Sequence, residues 1–227
     1  MDLSLRRRVF ALNSKSFYFL IGTFAASACL VASFLLGLQL WQIGVLVLLA
    51  WCPLVGYVMT IIYRLYGAGL AFLFLLLVGQ AAHLIEHTAQ MVEIHILGIP
   101  PKQANGIIGQ LNTEWVHLIW NSWVLLFCFF LFYWFRKNPW LIVLFIFGIW
   151  HEAEHLYIIS QYIQTGLAGN PGLIAKGGLI GGGLPITRPD LHFLYAVFEE
   201  TLLVLAYARE LRLFNARQRV TAAARAA

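Results

Sequence analysis

Two five-residue strings carry the chemistry of this chain: His83-Leu-Ile-Glu86-His87 and His151-Glu-Ala-Glu154-His155. Both follow the pattern H-x-x-E-H, and both lie within stretches that are otherwise apolar. At about 100° per helical residue, the two histidines and the glutamate of each copy fall within about a 100° arc. Imidazole and carboxylate groups on one face can bind a metal ion or move protons. In lipid such groups are costly unless partnered, so their presence points to function.

Other polar residues fall at the same level. Counted at about 1.5 Å per residue from the expected ends, His87 and His155 lie about 12 Å deep, and His83 and His151 about 18 Å. Glu199 and Glu200 come to roughly 14–15 Å, and Asn121 to about 12 Å. His117 and His192 are shallower, near the mouth. Four helices thus bring polar groups to one layer, as in bundles that house two metals.

Imidazole and carboxylate without thiolate suit Fe, Cu or Zn. The three cysteines, Cys29, Cys52 and Cys128, are scattered in apolar stretches and form no CxxC pair. The expected ligands are therefore His83, Glu86, His87, His151, Glu154, His155 and Glu199, enough for two ions. His117, Asp190 and His192 are further candidates. Glu152 and Glu200 are candidates for proton transfer, and Gln90 and Asn121 for orienting an imidazole. His95, Glu93, Glu114 and Lys102 read as ordinary interfacial residues.

Over these short motifs alone, the pattern resembles the histidine boxes of membrane desaturases and hydroxylases, as H-x-x-H-H with one His replaced by Glu. It also resembles the inverted zinc-protease motif, in which the Glu is a base. The His count is lower than in the histidine-box family, and the site falls on the other side of the membrane, so membership does not follow.

The elements that must position these residues are transmembrane helices. The 227 residues are 61% hydrophobic and 11% charged, and the mean hydropathy is +0.78. That composition predicts an all-α polytopic membrane protein. Six stretches reach the roughly 20 residues that a span needs: 17–39, 43–63, 69–95, 113–135, 139–163 and 190–211. They form one integral membrane domain over 1–227, with a basic tail at 212–227. The first run is too long for the apolar region of a signal peptide and predicts a retained span. Pro53 predicts a kink in the second.

Twelve Lys and Arg residues fall on the side of the termini, against Lys102, Lys176 and Arg188 on the other. The positive-inside rule then puts both termini in the cytoplasm, in a bacterial inner membrane, with the site facing the outer side. The net charge of +5 is accounted for by basic tails against anionic lipid, so the expected partner is the bilayer and not nucleic acid.

The two motifs also sit in matching surroundings. Each span with H-x-x-E-H leads into a glycine-containing loop, Gly106-Ile-Ile-Gly109 in one and Gly178-Leu-Ile-Gly181 in the other. Each loop is followed by an acid and a His, Glu114 and His117 or Asp190 and His192. This predicts a duplication, with spans three to six as a pseudo-two-fold four-helix bundle and the first two spans outside it. The long, apolar second loop is expected to lie on or dip into the membrane surface, or to cap the bundle.

These readings lead first to a metal-dependent membrane oxidoreductase acting on O2 or a small lipophilic substrate. A transition-metal or proton transporter is the alternative, although the cytoplasmic halves of the spans carry almost no polar lining. A third reading is a haem-binding or accessory subunit of a respiratory or photosynthetic complex, with other membrane subunits or an electron donor as partners. Haem ligation needs two His and no acids, so the carboxylates count against it. Structural His–Glu hydrogen bonding is the simplest competitor, but such contacts contribute only about 1 kcal/mol in membranes and rarely need so many ionisable groups.

Overall fold

Long apolar runs punctuated by Gly, Asn and Pro set the helix boundaries. The protein, seen in a computed structural model, is described over residues 3–226, with side chains described from 16 onward except at 222, 225 and 226. The helices are α1 (Leu3–Leu36), α2 (Leu40–Tyr66), α3 (Ala68–His95), α4 (Thr113–Phe135), α5 (Pro139–Thr165) and α6 (Arg188–Ala226). All six are long and apolar enough to cross a membrane, and the described residues contain no strand. The basic tail does not end the last span but continues α6 as helix to Ala226. Its Ala, Arg, Leu and Gln content favours that continuation.

Local chemistry fixes the ends that matter. Asn112 caps α4 by accepting from the Trp115 amide at 3.2 Å. Asn138 caps α5 in the same way, accepting from Trp140 N at 3.1 Å, with Pro139 at the first helical position. Its amide also donates to Ala206 O at 3.1 Å and to Glu210 Oε1 at 2.9 Å, tying the start of α5 to α6. Gly166 ends α5 in the left-handed region at φ 70°. Pro53 lies inside an unbroken α2.

The helices pack as two compact units, Met1–Gly67 and Ala68–Ala227. The first is a hairpin of α1 and α2, held by Tyr18 stacked on Tyr57 and Phe19 against Trp51. The second is the four-helix bundle. There α3 packs most closely on α6 and α4 on α5, while α3–α4 and α5–α6 contacts close the ring. A half-turn that exchanges α3 with α5 and α4 with α6 preserves this pattern. One end of the bundle interior is apolar, filled by Leu73, Leu76, Leu131, Leu141, Leu144 and Leu203. The other end, where the loops 96–112 and 166–187 join, is where the histidines lie.

Candidate metal centre

Six buried histidines form two triads at the loop end of the bundle: His83, His87 and His117, and His151, His155 and His192. Within each triad one nitrogen or more from every ring lies within 4.8 Å of the others. α3 and α4 supply one triad, and α5 and α6 the other. The two rings of each H-x-x-E-H copy meet through Nε2 atoms, at 3.1 Å for His83 and His87 and 3.2 Å for His151 and His155. Two nitrogens bound to one tetrahedral ion at about 2.0–2.1 Å would be roughly 3.3–3.4 Å apart, so the spacing suits shared coordination.

The hydrogen bonds behind the rings decide which nitrogen is free. His117 Nδ1 lies 2.7 Å from Thr113 O, and His192 Nδ1 lies 2.9 Å from Arg188 O. A carbonyl can only accept, so each Nδ1 carries the proton and each Nε2 presents a lone pair. Neither Nε2 has a hydrogen-bond partner among the described residues. His151 Nδ1 is held by Glu199 Oε1 at 2.9 Å, and His87 Nδ1 by Gln90 Oε1 at 2.7 Å. Four of the six rings are thereby set with Nε2 toward the centre. This is the arrangement by which metal-ligating histidines are oriented through their other nitrogen.

Ring spacings follow the two-fold relation. The centroids of His87 and His117 and of His155 and His192 are both 4.9 Å apart. The two triads abut through His117 and His155 at 6.0 Å and through His87 and His192 at 6.1 Å, contacts that the half-turn exchanges. The triads are therefore neighbours, and the rings of one touch those of the other.

The motif glutamates, expected as ligands, lie outside the two triads and accept hydrogen bonds from the loops. Glu86 accepts from three backbone amides of the first loop: Ile107 and Ile108 at 3.0 Å and Gly109 at 2.9 Å. Glu154 accepts from Leu173 N at 2.9 Å in the second loop. Each glutamate thus fastens a loop over the bundle, and the fit requires glycine. A Cβ on Gly106 (φ 68°) would lie 2.5 Å from Glu86 Oε1, and one on Gly172 (φ 80°) 2.6 Å from Glu154 Oε1. The structural counterpart of Gly106-Ile-Ile-Gly109 is accordingly Gly172-Leu-Ile-Ala175, not Gly178-Leu-Ile-Gly181. The latter string folds back on the former, with Leu179 N donating to Gly172 O and Ile180 N to Leu173 O.

Comparisons with family models, with curated proteins and with solved structures give no match.

The remaining candidates divide by location. Glu199 is buried behind His151, and Gln80 donates to its second oxygen at 2.7 Å. Glu152 turns toward α4, where Ser122 donates to it at 2.6 Å. Glu200 has no hydrogen bond to any of the six histidines. Asp190 stands apart from the triads and pairs with His95 at 2.7 Å and with Thr187. Asn121 donates to His117 O at 2.9 Å. Glu93 accepts from Gly106 N at 2.8 Å, so it too holds the first loop.

Sequence reasoning missed several participants. Gln80 was visible only as an edge residue, and the carbonyls of Thr113 and Arg188 have no sequence signal at all. Tyr195 packs edge-on against His151 at 5.0 Å, whereas Trp120, which lies next to the polar layer in the sequence and is a candidate there to line the site, stacks on His83 with centroids 5.5 Å apart. Glu114, expected at an ordinary interface, is buried and paired with Arg188 through two hydrogen bonds, one of them 2.8 Å long. It also accepts from Gly169 N at 2.8 Å.

Between the loops and the triads lies a cavity of about 480 Å³. His87, His117 and His192 belong to its walls, so both triads face it. The cover carries basic residues besides its apolar ones. Lys102, Lys176 and Arg188 line it together with prolines, alanines and glycines.

Proposed function

We propose that this chain is an integral membrane metalloprotein that holds two transition-metal ions, one on each histidine triad, and uses them in oxidoreductase chemistry on O2 or a small substrate. The observation that supports this most is the pair of buried triads in which four of the six Nδ1 atoms are tied back, so that Nε2 atoms converge on two adjoining points. Neutral imidazoles without thiolate suit Cu, Zn and Fe, and copper heads the affinity order. Ions bound there would supply electron transfer and Lewis acidity at the position that a three-ligand site leaves open.

The protein's own residues then have definite tasks. Thr113 O, Arg188 O, Gln90 and Glu199 fix the tautomers and ring planes. Glu199 adds a negative charge that offsets part of the ion's charge in a low dielectric. Glu86, Glu93 and Glu154 hold the loops that cover the site, and substrate reaches it through the cavity between them. The basic-residue asymmetry supports placing that cavity on the outer side of a bacterial inner membrane. Transport is the weaker reading, because Leu73, Leu76, Leu131 and Leu203 are buried in the bundle interior beyond Glu199.

Elemental analysis and absorbance of the purified protein test the proposal. About two ions per chain are expected, with loss of metal in His87→Ala and in His155→Ala. Stoichiometric metal retained in both variants, or an intense porphyrin band, would overturn it.

A further inference from the structure

We infer that the cavity over the triads is a binding site for the oxyanion of a small organic molecule, a carboxylate or phosphate, and that the substrate of the metal pair is therefore an acid. This rests on the proposed metal reading only for what lies beneath the anion. Charge is the first argument. Lys102, Lys176 and Arg188 all line this one cavity, although they come from two loops and a helix start. Glu114 is the only acid in its walls, and Arg188 already pairs with it. The two lysines have no acidic partner within ion-pair distance among the described residues. Lys102 also lies across the second loop, where a Cβ on Gly169 would be 3.6 Å from its Cγ, so the loops meet around a cationic side chain.

Helix orientation adds to this field. The first turns of α4 and α6 both reach the cavity, through Thr113 and Glu114 and through Arg188 and Pro189. Helix N-termini carry partial positive charge and favour anions. An anion entering between them would lie over His117 and His192, each only 2% exposed, and an ion held on their unpartnered Nε2 atoms would add positive charge beneath it.

Size and wall chemistry narrow the ligand. Roughly 300–1,000 Å³ is the usual range for small-molecule sites, and this cavity lies in its lower half. Pro101, Ala104, Pro171 and Pro189 give it apolar wall between the charges. A short organic body with one anionic group satisfies both parts. A bare inorganic anion would leave the apolar wall unused.

The test is calorimetric titration of the metal-loaded protein in neutral detergent with hexanoate and with hexanamide. Hexanoate is expected to bind at least tenfold more tightly than the amide, and less tightly as ionic strength rises. The double variant Lys102→Gln/Lys176→Gln should lose about tenfold or more of the hexanoate affinity while keeping its metal content, since both lysines are exposed, neither is a triad residue, and glutamine keeps most of the aliphatic stem that packs on the second loop. Equal binding of acid and amide, or undiminished hexanoate binding by the variant, would overturn the inference. Nanodiscs with and without phosphatidylglycerol separate two sources of the same chemistry. Competition by that lipid identifies an anionic headgroup as the ligand, and its absence identifies a soluble acid. Metal measured on the same samples keeps the two readings apart. Lysine-dependent hexanoate binding without metal would remove the metal reading alone, and two ions without hexanoate binding would remove this inference alone.

Discussion

In the exchange of α3 with α5 and of α4 with α6, His83, His87 and His117 correspond to His151, His155 and His192. The residues behind them do not match. Glu199 on α6 corresponds to Val124 on α4, Gln80 on α3 to Gly148 on α5, and Gln90 on α3 to Ile158 on α5. One triad is therefore backed by a carboxylate on His151, and the other by an amide on His87. The histidines repeat between the two halves, and the groups behind them do not. Two ions bound here would be inequivalent, with the carboxylate-backed triad holding its ion more tightly.

Deleting one triad at a time tests this most severely. His151→Ala/His155→Ala and His83→Ala/His87→Ala are each expected to reduce metal from about two ions per chain to about one. Complete loss in both, by elemental analysis, would mean that the triads act as one indivisible site. The next effect concerns the ion pair that joins the halves, Glu114 from α4 and Arg188 from α6. Glu114→Ala leaves a largely buried guanidinium unpaired and should cost about 3–5 kcal/mol in stability, read from thermal or denaturant unfolding in detergent.

Glu199→Gln addresses the difference itself. It should weaken one of the two metal-binding phases by about 10–100-fold and leave the other in place. Uniform weakening of both would make the asymmetry irrelevant to metal binding. Gly106→Ala and Gly172→Ala should each cost about 1–3 kcal/mol, because both put a side chain at positive φ against a glutamate. Similar losses in the two would confirm that loop fastening is the conserved half of the duplication. Gln90→Leu should have the smallest effect, a few-fold weakening confined to the His83 triad, since the amide it removes is neutral.

Much of this architecture was legible beforehand, for identifiable reasons. Hydropathy and length reveal spans directly, and helical periodicity places His83 with His87 and His151 with His155. Glu86 and Glu154 share that periodicity, so the pattern alone cannot separate them from the ligands. What separates them is the conformation of loops some 20 residues away, whose amides claim the carboxylates. His117 and His192 looked shallow because they open their helices, yet a bond from each ring to the carbonyl four residues earlier holds it within its triad. The loop alignment failed on letters. Gly178-Leu-Ile-Gly181 matches the first loop better as a string, but only the leading glycine of the true counterpart meets a carboxylate. Ala175 is therefore tolerated where Gly109 is not replaceable, since a Cβ there would meet Asn105 O at 2.2 Å.

One consequence follows from where the fastening glutamates stand. Glu86 immediately precedes His87, and Glu154 immediately precedes His155, so roof and floor of the cavity hang from the same helical turns. A rotation of α3 or α5 that draws an imidazole onto an ion must carry the corresponding loop with it. Cargo below and cover above then behave as a single lever, and cleavage of the loops by a protease becomes a gauge of what the histidines hold.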